Sequence, residues 1–260
     1  MAEGGADVTF ALRPARRKQI DARGIVIHSD FFDDASVSVN TVAAEAIEGP
    51  YDLVIVACKA YQLGDVMETI APAVGDNTAI LPLLNGIKQI DLLQDRFGAD
   101  KVLGGTCYIG ARVDAETGDI VHFGDFHRIA YGEMDASLSP RVEAFAALND
   151  AMKFDIDLRD NIEQALWDKF AMLCAMSSVN TISRATVGEI LATPSGHEFL
   201  TAALIECRDT AAALGHIVSP ATIATYEKMF STQGSKFASS MLRDVQANKP
   251  SEGDHIIGDM

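Results

Sequence analysis

Lys169 lies in the stretch LWDKFAMLCAMSS, and no charged residue follows it between Phe170 and Met176. A helix buried just past a lysine withdraws the ammonium from water, lowers its pKa and equips it to give or take a proton near neutrality. The same residue could equally snorkel at the end of a buried helix, paired with Asp168 or Glu163. Two further polar residues each follow an apolar run: Lys59 after Leu53 to Cys58, and Asn85 after Ala79 to Leu84. Beyond the carboxyl ends of parallel strands both would face one ligand crevice, although an ordinary loop lysine and an Asn-Gly turn are the plain alternatives. Near the end of the chain FASSMLRDVQANKPSE supplies Ser239, Ser240 and Glu252. Ser240 could simply cap a helix starting at Met241, and Glu252 could be an exposed acid.

Arg13-Pro14-Ala15-Arg16-Arg17-Lys18 places cations at the start of a helix that proline opens. Cations there oppose the helix dipole, and a bound anion would remove the conflict; a solvated basic patch is the other reading. The six histidines form no metal-spaced pair, and neither GxSxG nor HExxH occurs, so metal and serine-nucleophile chemistry are not indicated.

The elements that must position these residues begin with a strand from Val8 to Leu12, a helix from Arg13, strands at Gly24 to His28 and Ala35 to Asn40, and a short helix at Thr41 to Ile47. The run Leu53 to Cys58 has the continuous apolar, β-branched character of a parallel strand covered on both faces. Leu63, Val66, Met67, Ile70 and Val74 then recur at helical spacing, with Gly75 as C-cap. After a strand at Ala79 to Leu84, a helix from Ile87 ends at Gly98. Short strands at Val102 to Val113, Asp119 to Phe123 and Arg128 to Gly132 suggest an antiparallel meander, followed by a helix from Ser139-Pro140 and a strand at Asp155 to Leu158. Past Asn161 only helices are expected: Ile162 to Met176, Val187 to Leu191, Glu198 to Leu214 and Pro220 to Phe230. The expected fold is α/β: a Rossmann-like parallel sheet lacking its first strand, with an antiparallel extension, over residues 1–160, then an all-helical domain over 161–260.

With 48% hydrophobic and 22% charged residues the composition is that of an ordinary globular protein. A formal net charge of −16 disfavours nucleic acid and anionic membrane as partners. The four cysteines are widely spaced without CxxC and read as buried thiols of a reducing compartment. MAEGGADVTF has neither a basic segment nor an apolar run, so a cytoplasmic location is expected.

Taken together, VTFALRPAR, VIVACKAYQ, LPLLNGI, VLGG with the following CYI, LWDKF, SRATVGEI and SSMLRDVQANKPSE resemble the ketopantoate reductase (2-dehydropantoate 2-reductase) family over essentially the whole chain. The resemblance implies a Rossmann domain, a helical domain and NADPH-dependent reduction of the 2-keto group of ketopantoate to pantoate, on the route to pantothenate and coenzyme A. It implies Lys169 as general acid, Glu252 as the acid of the substrate site, Ser240 as a substrate ligand and Asn85 at the nicotinamide end. Lys59 is implied in the cofactor site, and Arg13, with Arg16 or Arg17, at the 2′-phosphate that selects NADP. A 2-keto acid substrate and a homodimer are the implied partners.

Three departures accompany the resemblance. The family opens with a strand and a GxGxxG loop, and neither is found here, so either the polypeptide begins further upstream or this chain is a fragment that binds NADPH weakly. The family also usually continues the helix containing Glu252, which implies a loosely held carboxylate here. Asparagines that family members often carry one and two turns past the lysine are replaced by Leu173 and Ser177, Ser177 then being the polar group left to the substrate. Reduction of a less polar 2-keto acid, or a non-catalytic homologue kept for association, are the alternatives.

Overall fold

All 260 residues are described in the computed structural model. They form two compact units: residues 1–57, 64–83 and 93–160, and residues 58–63, 84–92 and 161–260.

In the first unit, β1 (Thr9–Ala11) leads into α1 (Pro14–Arg23), whose first residue is the proline expected to open it. β2 (Ile25–Ser29) and β3 (Ala35–Val37) form an antiparallel pair. The next segment corrects the expected short helix at Thr41 to Ile47. Asn40–Val42 is a strand, β4, parallel to β1 with Phe10 opposite Thr41, and only a single 3₁₀ turn, Ala44–Ala46, follows. β-Branched Thr41 and Val42 take the extended form because a partner strand from residues 9–11 supplies hydrogen bonds that no local pattern announces.

β5 (Leu53–Val56) and β6 (Ala79–Pro82) pair in parallel. β6 is buried throughout, whereas β5 is only half-buried apart from Val56, against the expectation of a strand covered on both faces. β5 pairs on one side alone, and β1–β4 and β5–β6 are separate two-stranded sheets with no strand hydrogen-bonded to both β1 and β5. α2 (Leu63–Ile70) gives way to a 3₁₀ turn at Ala71–Ala73, short of the expected end at Val74. Pro72 lacks the amide a further α-turn needs. Gly75 is therefore no helix cap; a Cβ there would lie 2.6 Å from Pro50, and its N–H donates to Thr78 Oγ1. α3 (Gln89–Phe97) ends at Gly98, whose φ of 103° suits only glycine.

The expected meander is instead a ribbon of two long strands, β7 (Leu103–Val113) and β8 (Ile120–Glu133). Gly124 does not end a strand: with φ 82° it accommodates a register shift opposite Ile109 and Ala111, and β8 runs on. β8 also pairs in parallel with β2 near one end and with β9 (Asp155–Leu158) near the other. α1 is tied to the tip of this ribbon by Arg23 to Asp119, Arg16 to the Gly118 carbonyl and Gln19 to the Thr117 carbonyl.

α4 (Pro140–Ala146) packs Val142 and Phe145 against Leu103, Ile129, Tyr131 and Ile156. Tyr131, fully buried, donates its hydroxyl to the Val142 carbonyl at 2.6 Å, and burial pushes its pKa up to about 12. Glu133 is nearly buried and accepts two hydrogen bonds from Arg141, at 2.7 and 2.6 Å, and one from Ser139. Burial opposes the Glu133 charge, but these bonds outweigh it and hold the carboxyl below its ordinary 4.5. A depressed folded pKa stabilises fully above 4.5 and the contribution is lost as pH falls through the folded value. Thermal unfolding followed against pH should show a loss of stability on acidification below about 4.5, and Glu133→Gln should flatten it.

In the second unit the central element is α5 (Ile162–Ser183), capped by the Asn161 side chain and longer than the stretch Ile162 to Met176 expected from the apolar run. Buried residues occur all round it from Phe170 to Ser177, as expected of a helix surrounded by others. α6 (Val187–Leu191) opens with a Thr186–Glu189 capping box, and α7 (Gly196–Ala213) contributes Leu200, Leu204, Cys207 and Ala211 to the common core. Cys174 and Cys207 are free thiols hydrogen-bonded to each other across α5 and α7. α8 (Pro220–Met229), α9 (Ser240–Gln246) and α10 (Gly253–Ile256) complete the unit. No helix is long and apolar enough to cross a membrane.

Candidate active site

The second unit gathers most of the chemistry-bearing residues. Lys59 occupies the N-cap position of a 3₁₀ turn, and its Nζ lies 2.9 Å from both Asp244 Oδ2 and Glu252 Oε2. Glu252 is 2% exposed, and its second oxygen accepts the Ala60 backbone N–H at 3.1 Å. The expected alternatives for both residues, a loose loop lysine and an exposed or weakly held acid, are thereby corrected. Glu252 precedes α10 rather than lying inside a helix, and Lys59 and Ala60 fix its carboxylate. Burial opposes the Lys59 charge, yet its bonds to Asp244 and Glu252 outweigh that and hold its pKa above the usual lysine value.

Asp244 was not singled out by the sequence reading. It stands four residues after Ser240 on α9, so the two share a helix face, which is the signal that could have found it. Ser240 is not the cap: Ser239 is, its Oγ accepting the Leu242 N–H at 3.1 Å. That leaves the half-buried Ser240 hydroxyl free of a capping role, at the first turn of α9.

Lys169 is half-buried on α5, which packs against α8, α9 and α10. The neighbouring Asp168 is committed elsewhere: it accepts hydrogen bonds from Gln164, the Ser219 N–H and Thr222, and so holds the start of α8. Leu173 is 9% exposed one turn on, and Ser177 is completely buried, its Oγ without a hydrogen-bond partner. Ser177 was expected as a group within reach of substrate; the packing around α5 leaves it without solvent exposure. Asn85 is half-buried, and the adjoining Gly86, with φ 101°, would bring a Cβ to 3.1 Å from the His255 carbonyl. The loop 84–92 thus sits against α10, next to the element that carries Glu252.

Arg13 and Arg16 belong to the first unit. Arg13 is exposed at the N-cap of α1 and makes no ion pair. Arg16 is turned away to Gln19 and the Gly118 carbonyl, and Arg17 to Thr41 and Asp21, so neither matches Arg13 in availability. A cavity of about 490 Å³ beside α1 is lined by Pro14, Arg17, Lys18, Asp21, Ala22, Ala43 and Glu45. Two cations and two carboxylates balance in this lining, and Arg17 is paired with Asp21. No GxGxxG loop occurs in the 260 residues to cradle a pyrophosphate.

The family described as Ketopantoate reductase PanE/ApbA matches residues 1–136, and its C-terminal counterpart matches residues 161–260. The chain belongs to the ketopantoate reductase family. It is 33% identical to the uncharacterized oxidoreductase YkpB of Bacillus subtilis over 99% of this chain and 84% of that protein. It is 26% identical to the 2-dehydropantoate 2-reductase of Archaeoglobus fulgidus over 98% of this chain and 81% of the relative. Among solved structures, the 2-dehydropantoate 2-reductase of Geobacter metallireducens aligns with a TM-score of 0.86 at 26% identity, covering 97% of this chain and 83% of its own. D-mandelate dehydrogenase in complex with NADH and anilino(oxo)acetate aligns with a TM-score of 0.82 at 22% identity, over 98% and 83%, a likeness of fold.

Proposed function

We propose that this oxidoreductase reduces 2-dehydropantoate to (R)-pantoate with NADPH, in the formation of pantothenate and coenzyme A. What carries the reading is the presence in one unit of Lys169, Ser240 and the Lys59–Glu252–Asp244 cluster, in a chain of this family. When bound, the reduced nicotinamide supplies a hydride to C2 of the keto acid. Lys169 holds a proton at Nζ and passes it to the carbonyl oxygen as negative charge develops there. Ser240 donates a hydrogen bond to the substrate, while Glu252 and Asn85 fix the reacting groups. The ion pairs of Lys59 hold Glu252 still, and preorganised polar groups of this kind need no rearrangement at the moment of reaction.

Arg13 is the residue proposed to meet the 2′-phosphate and so prefer NADPH to NADH, since it is exposed and unpaired at the start of α1. In a fluorescence titration Arg13→Ala should weaken NADPH binding about tenfold, equivalent to about 1.4 kcal/mol, and leave NADH binding little changed. Equal loss for both nucleotides would remove Arg13 from the phosphate site. Arg16→Ala should have the smaller effect, because its guanidinium serves the tip of the ribbon.

A second reading has its own observation. Leu173 and the closed-off Ser177 present fewer polar groups along α5 than two asparagines would, which favours a 2-keto acid less polar than ketopantoate. Ratios of kcat/KM across a panel of 2-keto acids separate the two: ketopantoate foremost supports the first, an apolar side chain foremost the second. Cytoplasmic location and homodimer formation go with the same proposal; the ketopantoate reductase of Staphylococcus aureus, of like fold, is described as dimeric.

A further inference from the structure

We propose that Asn180 is a positioning residue for Ser240, setting where the substrate-facing end of α9 stands relative to the helix that carries Lys169; this rests on the reading of the site given above. Asn180 is completely buried, and both polar atoms of its amide are hydrogen-bonded. Oδ1 accepts the Ser239 N–H at 3.1 Å, and Nδ2 donates to the Ala185 carbonyl at 2.8 Å. A flipped amide would set N–H against N–H and carbonyl against carbonyl, so the two bonds also fix its orientation.

The residue it grips is the cap of α9. Ser239 is 2% exposed, and its Oγ accepts the Leu242 N–H, so its place determines where Ser240 and, one turn on, Asp244 emerge. The approach to this cap is held at two other points, where Val187 N–H donates to the Phe237 carbonyl and Gly188 N–H to the Ser235 carbonyl. Both are backbone bonds, and the second requires glycine at 188, where a Cβ would lie 2.5 Å from the Ser235 nitrogen. The bond nearest Ser240 is the only one of the three made by a side chain of another helix. Asn180 lies eleven residues beyond Lys169 on the same helix, about 16 Å at the ordinary α-helical rise. One rigid element thus carries the acid and, further along, the amide that holds the serine's helix.

A residue that only supported the fold would lower stability when removed and leave substrate recognition alone. The two roles separate in a double-mutant cycle on the full chain, with NADPH saturating and ketopantoate varied, using wild type, Asn180→Ala, Ser240→Ala and the double variant. Asn180→Ala should raise KM about five- to tenfold with kcat changed by less than about twofold, the mark of lost binding shared by ground and transition states. In the Ser240→Ala background the same substitution should change KM by less than about twofold. A thermal shift with unchanged KM, or full additivity in the cycle, would overturn the proposal. If Asn180→Ala does not fold, Asn180→Ser takes its place in the cycle, since it is polar and too short to reach the Ser239 amide. Wild type that reduces no 2-keto acid would bring down the reading of the site and this inference with it; active wild type with an additive cycle would bring down the inference alone.

Discussion

Lys169→Ala is expected to lower kcat by about 10²- to 10⁴-fold, the range in which a positioned general acid contributes. The substitution removes the proton that would meet the carbonyl oxygen and leaves the groups proposed to bind the keto acid in place. KM should therefore move much less than kcat. Steady-state rates of NADPH oxidation measure both. A lysine that merely ends a buried helix would leave kcat within a few-fold of wild type, and that outcome would remove Lys169 from the mechanism.

Glu252→Ala should have the largest effect on stability, because it strands two groups at once. Lys59 would lose one of its two carboxylates, and the Ala60 N–H would lose its acceptor in a buried position. An Ala60 amide left buried without an acceptor costs about 1–3 kcal/mol, and Lys59, 37% exposed and still bound to Asp244, adds little. Glu252→Gln retains an acceptor for the Ala60 amide and should cost less. Urea unfolding of the three proteins gives the comparison, and both variants should also lose turnover. Wild-type stability in Glu252→Ala would mean that the carboxylate is not the anchor described here.

Much of this arrangement could be read from local pattern. Pro14 marks the start of α1, Ser139-Pro140 that of α4, and the uncharged run after Lys169 announces a buried helix. What local pattern could not give was the partner of each group. Glu252 looks like a surface acid because Lys59, which buries its charge, is 193 residues away in the chain. β4 looks like a helix start because β1, which extends it, is about 30 residues upstream, at Thr9–Ala11. Gly124 looks like a strand end because a bulge glycine and a turn glycine share one local signature. Ser177 is of a different kind: the resemblance placed it two turns past Lys169 as a polar group toward substrate, and local pattern could not show that the packing of neighbouring helices leaves it completely buried with its hydroxyl unpartnered.

The measurement that tests the central proposal most directly is NADPH consumption by the full chain with 2-dehydropantoate, run beside NADH and beside Lys169→Ala. Oxidation of NADPH that depends on the keto acid, exceeds that of NADH and collapses in Lys169→Ala is the expected result. Binding of both ligands without any turnover, or turnover that Lys169→Ala leaves intact, would contradict it.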